Sequence, residues 1–465
     1  MIKKISILFI IVVIFFLLYW VYRDPGFNSF ATLFVFIAGS FFAPYIVKSF
    51  PIVNRKDIIR KKLNNQSLLK VSKLIKNIDS KVLRKTRNLN TEKVKPVELS
   101  DQYNSFFEKF SNRKKLKVEY ILELINNDQF NPIISNDADF IVVIDKELKE
   151  ISLQNHKGNK INIHNPKLMW ECSCNGDIKE NYKNCPIHKH FDSYKEAKKF
   201  SEDFNTGLVK IKYGDIELFW KNEKDLWPPS IDSFNLIIDI KINGYDKKNI
   251  TSVLDIGSGT GFLGIWLAKN NLQIKQVHFS DWLLLPLFFS YANSKHNTPI
   301  ETQFLLGLNT SWLPLENQKK INKYDLIICN PPYLPELGFK ELTKESTVAG
   351  TQLLKSIIIN GLDIGKEVII SFSELVLPEA QSAAKIAGIN LNECKIGGPH
   401  LVPFRVPIAL KRKNYIYKLL KERALIEDSE SEFKYWHKIN TYSLKRLPTM
   451  TISNAGESDK TKNNE

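Results

Sequence analysis

At 465 residues, 43% of them hydrophobic, the chain is too long for one ordinary domain and has apolar material for a real core in each of two or three. Its five cysteines are an odd number with three in one local cluster, which excludes a disulfide framework and fits a reducing compartment. The net charge of +16 is uneven: residues 1–100 hold 18 Lys and Arg against 5 Asp and Glu, and the other 365 hold 48 against 45. The basic character therefore belongs to the N-terminal segment.

Residues 5–22 and 27–47 carry no charged side chain, and only the short stretch around Arg23 and Asp24 separates them. About 20 apolar residues cross a bilayer core as a helix, so residues 1–50 are expected to form a two-helix membrane hairpin. The first run is longer than a signal-peptide core, and no small-residue cleavage site follows it. Lys3 and Lys4 precede the first run, and Lys48, Arg55, Lys56 and Arg60 follow the second. The positive-inside rule then places both termini, and the rest of the chain, on the cytoplasmic face.

Residues 51–98 are expected to be a basic helical stalk. Leu68, Val71, Ile75, Ile78 and Val82 recur at steps of three and four, with lysines and arginines on the other faces. Such a helix suits anionic headgroups, a partner helix, nucleic-acid phosphates or a plain solvated spacer. Its place beside two apolar spans favours the membrane surface.

Residues 99–224 read as a small α+β accessory domain with a strand at 140–144 and a helix at 194–204. Between them lie Cys172, Cys174, Cys185, His188 and His190 in a polar stretch with little apolar surface to bury thiols. Three thiolates and one imidazole complete a tetrahedral set, so a structural zinc on Cys172, Cys174, Cys185 and either His188 or His190 is expected. The Cys-x-Cys spacing is shorter than the common zinc pair.

A strand at 251–256 runs into Gly257-x-Gly259-x-Gly261 and then a helix from Phe262. Alternating glycines allow a sharp turn and close approach of a ligand. Asp255 ends the strand, and Asp281 ends the next one, where an acid suits ribose hydroxyls. Gly259-x-Gly261-x-x-Gly264 also satisfies a dinucleotide fingerprint, which keeps a nicotinamide enzyme open. Downstream, the apolar strand 324–329 stops at Asn330-Pro331-Pro332-Tyr333, 75 residues after Asp255. That interval fits two further β-α steps and a strand.

Together these residues resemble class I S-adenosylmethionine-dependent methyltransferases. The segment from Val253 to Gly261 resembles their first motif. Asn330 to Tyr333 resembles the Asn-Pro-Pro-aromatic motif of the amino-group branch, which includes release-factor glutamine, N6-adenine and N2-guanine enzymes. The segment 226–232 resembles the stretch that caps the cofactor. The resemblance covers roughly residues 225–440.

It implies a Rossmann-like, doubly wound α/β sheet over 225–448, with 449–465 as a disordered tail. It also implies S-adenosylmethionine bound by Asp255, Gly257, Gly259, Gly261, Asp281 and Asn309, where Asn309 stands in place of the family's usual acid. Asn330 and the Pro331 carbonyl would accept hydrogen bonds from a planar amino group, and Tyr333 would stack on it. The prolines fix φ and remove competing N–H donors. The acceptor is expected to be a nucleic-acid base, slightly favoured through the basic stalk and Cys/His module, or a protein glutamine amide. The alternative is a catalytically silent membrane adaptor that keeps the fold.

Overall fold

The computed structural model describes residue 76 and, from 138 onward, residues 138–145, 147, 150–155, 160–163, 183, 188–223, 226–281, 283–306, 324–335, 351–404, 413–428 and 434–446. The expected hairpin (1–50), the stalk apart from Lys76, the tail (449–465), Cys172, Cys174, Cys185 and Asn309 lie outside the described residues. Among the described residues no helix is long and apolar enough to cross a membrane. Lys76 is helical and pairs with Glu223.

The accessory region forms a five-stranded sheet in the order β3-β2-β1-β4-β5. Its strands are β1 (Phe140–Ile144), β2 (Ile151–Asn155), β3 (Lys160–Ile163), β4 (Leu208–Tyr213) and β5 (Ile216–Lys221). All neighbours are antiparallel except β1 and β4. Helix α1 (Tyr194–Thr206) starts where Ser193 caps the N–H of Glu196, and it covers one face of the sheet. Phe200 and Phe204 meet Phe140 edge-on, with ring centroids 5.5 and 5.2 Å away.

The second sheet has the path β11-β13-β10-β9-β6-β7-β8, with β12 (Ile426–Glu427) also on β13. Its strands are β6 (Ser252–Ile256), β7 (Gln276–Asp281), β8 (Glu301–Leu306), β9 (Tyr324–Cys329), β10 (Gly365–Ser373), β11 (Lys395–Pro403) and β13 (Tyr435–Lys445). The five strands from β10 to β8 are parallel, and β13 runs antiparallel to both its neighbours. The central strands read as near-continuous apolar runs because helices cover both faces.

On one face, α5 (Gln352–Ile364) and α6 (Leu377–Ala387) join Leu254, Ile256, Ile327 and Phe372 in one buried cluster. The other face carries α2 (Ile231–Ile242), α3 (Phe262–Asn270) and α4 (Leu284–Asn297). The expected doubly wound sheet is therefore present, extended at one edge by the β11-β13 pair. Asp239 fastens α2 to that edge: its carboxylate accepts from Thr441 Oγ1 at 2.6 Å and faces His400 Nε2 at 2.9 Å. A Cβ at Gly397 would lie 2.1 Å from that carboxylate, so only glycine fits there.

Helix α4 is buried along most of its length because it is covered on two sides, by β7 and β8 and by the accessory strand β5. Its asparagines finish the accessory sheet. Asn293 accepts from Phe219 N (2.7 Å) and donates to Phe219 O (3.1 Å). Asn297 does the same for Glu217, at 3.0 and 2.7 Å. Residues i and i+4 of a helix rise about 6 Å, close to the roughly 6.7 Å between alternate strand residues. The two amides thus stand in for a sixth strand.

Asn293 is fully buried and also donates to Thr260 O at 2.9 Å. Replacing Asn293 with Ala would orphan a backbone N–H and two carbonyls. We expect a loss of about 2–4 kcal/mol in urea unfolding. A loss within 0.5 kcal/mol, the range of an ordinary surface substitution, would contradict this role.

Candidate active site

The site lies where the strand order reverses. β6 pairs with β7 on one side and β9 on the other, and ligands of open α/β sheets bind outside the strand ends at such a point. The register sets Ile256 opposite both Ser280 and Cys329. Gly257, Asp281 and Asn330 therefore leave the sheet side by side.

The loop after β6 turns through Gly257, Gly259 and Gly261 with φ of 69°, 54° and 80°. A side chain at any of them would be strained. Helix α3 then approaches β7 so closely that a Cβ at Gly264 would lie 2.8 Å from Val277 and Phe279. From behind, Ser290 Oγ of α4 donates to Gly259 O at 3.1 Å.

The loop's amides are spent internally. Gly257 N and Ser258 N both donate to Ser280 O, at 2.8 and 3.1 Å, and Gly261 N donates to Ser258 O at 2.7 Å. Gly259 N donates to Asp281 Oδ2 at 3.0 Å. A pyrophosphate cradle turns such N–H groups toward the ligand. Here the loop sits between two acids and its donors are occupied, which suits a cationic ligand better than a dinucleotide. The donor set accordingly fits S-adenosylmethionine, with its sulfonium and ammonium charges, better than the nicotinamide alternative.

Asp255 departs from its expected role. It is 1% exposed, and its Oδ2 accepts from Gly264 N at 3.0 Å, tying the sheet to the start of α3. Its Oδ1 is buried without a partner among the described residues. Burial pushes its carboxyl up to about 7, against the Gly264 N–H, which lowers it, and with help from Asp281.

On the acceptor side, Asn330 Nδ2 donates to Ser233 Oγ at 3.1 Å, while Asn330 Oδ1 is buried with no partner among the described residues. The Tyr333 hydroxyl donates to Asp232, and its ring lies 5.8 Å from that of His437 on β13. His437 Nδ1 is 2.8 Å from Ser373 Oγ at the end of β10. Pro331 is buried and Pro332 half-buried, both at the mouth of β9. The segment resembling the cofactor-capping stretch lies over the glycine loop: a Cβ at Gly259 would sit 3.5 Å from Trp227 O.

Asp255, Gly257, Gly259, Gly261, Asp281 and Asn330 to Tyr333 are thus brought together as expected. Asp232, Ser233, Ser373 and His437 were missed, because their partners are 64 to 104 residues away in the chain. The Pro228-Pro229 pair before a helix start was the one available signal for Asp232 and Ser233.

The zinc set is not assembled among the described residues, where no group of three or more His, Cys, Asp or Glu could hold a metal ion. His188 is 1% exposed, its Nε2 lies 2.6 Å from Ser201 Oγ on α1, and its ring neighbours Phe191 and Phe200. These contacts place His188 in the accessory core, while Cys172, Cys174 and Cys185 lie outside the described residues. His190 is exposed.

A carboxyl raised on folding adds stability that is complete below its unfolded value and is lost as pH rises through its folded value. For Asp255 that window runs from about 4 to about 7. The protein without ligand should lose up to ~4 kcal/mol from this group across it, and Asp255→Asn should flatten that part of the profile. Parallel urea titrations of both proteins at pH 4.5 to 8 check this, and identical slopes would count against it.

Residues 241–356 match the family model described as "Methyltransferase small domain". The release factor glutamine methyltransferase of Mycoplasma mycoides subsp. mycoides SC is 35% identical over 127 residues, which are 27% of this chain and 43% of that protein. That of Flavobacterium psychrophilum is 30% identical over 130 residues, 27% of this chain and 42% of that protein. The chain thus spans less than half the length of these curated relatives. A solved SAM-dependent methyltransferase from Agrobacterium tumefaciens covers 67% of this chain and 91% of its own, at 10% identity and a TM-score of 0.33, a likeness too weak to add to the family match. Residues 241–356, about a quarter of the chain, thus resemble a methyltransferase small domain, and they hold strands β6 to β9 of the second sheet.

Proposed function

We propose that the chain is an S-adenosylmethionine-dependent N-methyltransferase whose acceptor is the side-chain carboxamide of a protein glutamine. The observation that carries this reading is the Asn330 amide. Its nitrogen is engaged by Ser233, and its oxygen is buried with no partner among the described residues. A buried acceptor left unpaired costs about 1–3 kcal/mol, and an amino group entering the site would recover that cost with one N–H.

A carboxamide nitrogen is a poor nucleophile because its lone pair is delocalised into the carbonyl. Asn330 Oδ1 would hold one N–H and favour a pyramidal nitrogen, so this side chain supplies orientation and electrostatics. Pro331 and Pro332 bring no N–H to compete for that oxygen. The Tyr333 ring, held through its hydroxyl by Asp232, offers a face for the planar amide. When bound, S-adenosylmethionine would supply an electrophilic methyl group and leave as the thioether, with the amide proton passing to solvent.

Glutamine is preferred over a nucleic-acid base because the similar curated proteins are named release factor glutamine methyltransferases. A silent adaptor leaves the unpaired Asn330 oxygen without a use. The proposal also keeps the chain tethered by residues 5–47 with its catalytic half cytoplasmic, which rests on their sequence alone.

Tritiated-methyl transfer into a lysate, treated in parallel with protease and nuclease, should leave the label protease-sensitive, with N5-methylglutamine on hydrolysis. Nuclease-sensitive label would reverse the choice of acceptor. Asn330→Ala should lower turnover at least a hundredfold, the scale of losing an oriented electrostatic contact, while calorimetric affinity for S-adenosylhomocysteine stays within about twofold. Equal losses in both would contradict the assigned role. Full-length protein should resist alkaline carbonate extraction from membranes, and protein lacking residues 1–50 should be released.

A further inference from the structure

Two consecutive residues of the first turn of α2 hold the two side chains of the acceptor site. Ser233 Oγ accepts from Asn330 Nδ2 at 3.1 Å, and the Asp232 carboxylate accepts from the Tyr333 hydroxyl. Both are 9% exposed. Their partners lie 97 and 101 positions further along the chain. We infer that Asp232 and Ser233 are positioning residues for methyl transfer, which rests on the acceptor reading above and names the part of the chain that sets it up.

The reasoning starts from the asparagine amide. Its two ends are nearly alike in shape and opposite in hydrogen bonding, one a donor and the other an acceptor. An amide facing the acceptor nitrogen with its NH2 end would repel the amine it must hold. With Ser233 taking the NH2 of Asn330, the oxygen is the end left to present. Asp232 plays the matching part for Tyr333. A phenol ring beside a substrate can swing about χ1, and a carboxylate on its hydroxyl fixes the direction in which the ring points.

The same short stretch reaches the cofactor side, since the Trp227 carbonyl lies over Gly259. Residues 227–233 thus touch the glycine loop at one end and the acceptor motif at the other. Asp239, two turns further along α2, anchors the helix to β11 and β13 and gives the first turn a fixed base.

The test is a mutant cycle on the full chain with a glutamine-containing acceptor peptide. Ser233→Ala should lower kcat about tenfold, equivalent to ~1.4 kcal/mol, with S-adenosylhomocysteine affinity unchanged, and Ser233→Thr should restore it. Ser233→Ala added to Asn330→Ala should cost nothing more, because Ser233 acts only through Asn330. Asp232→Ala and Tyr333→Phe should likewise lose similar amounts alone and no more together. Additive losses, or no rescue by threonine, would overturn the inference.

A second readout needs no turnover. The Asn330 side-chain amide resonances, assigned by their absence in Asn330→Ala, should shift in Ser233→Ala and return in Ser233→Thr. If the wild-type protein fails to methylate the peptide, the acceptor reading falls while these shifts still support the positioning role. Unmoved resonances in Ser233→Ala would overturn that role whatever the acceptor.

Discussion

The parallel pairing of β6 with β9 is the constraint on which the site depends. It sets Ile256 opposite Cys329, so the glycine loop and the Asn-Pro-Pro-Tyr turn leave the sheet at the same level. Both strands are buried on two faces, which fixes the register: a one-residue slip would exchange Leu254 and Ile256 with Val253 and Asp255, carrying a carboxylate into an apolar cluster. The glycine loop and the Asn-Pro-Pro-Tyr turn are aligned by core packing alone.

Around that pair, other elements add precision through polar contacts across long stretches of chain. Helix α4 braces the glycine loop through Ser290 and Asn293, and α2 orients the acceptor motif through Asp232 and Ser233. Each of these bonds is modest in net energy, yet each fixes a buried group that would cost more if left unpaired. The Asn330 side-chain oxygen stands apart from these: it is buried with no partner among the described residues.

How much of this could be read from the sequence follows from the range of each interaction. Strands β1 and β9 fall on the residues expected, because buried strands show as short apolar runs with clear stops. The glycines and Asn330 were legible because local backbone chemistry demands them. Asp255 was legible as a residue but not in its role: nothing local reveals that it would be buried and bonded to Gly264. Asp232 fell within the segment resembling the cofactor-capping stretch without a role of its own, and Ser233, Asn293 and Asn297 carried no local signal, since their partners are distant in sequence. His188 read as a metal ligand from its cysteine neighbours; among the described residues it lies beside Ser201, Phe191 and Phe200, and the cysteines fall outside them.

The asparagine ladder on α4 bears on how this protein could be divided or have been assembled. A boundary near residue 224 separates two sheets in sequence, yet Asn293 bonds the last strand of one sheet and the cofactor loop of the other with a single amide. A fragment starting after that boundary would leave the amide facing water and expose the flank of α4 that β5 now covers. The accessory sheet is therefore not a detachable module hung on an enzyme. Separating the two sheets at that point would leave Phe219 and Thr260 without the amide that joins them.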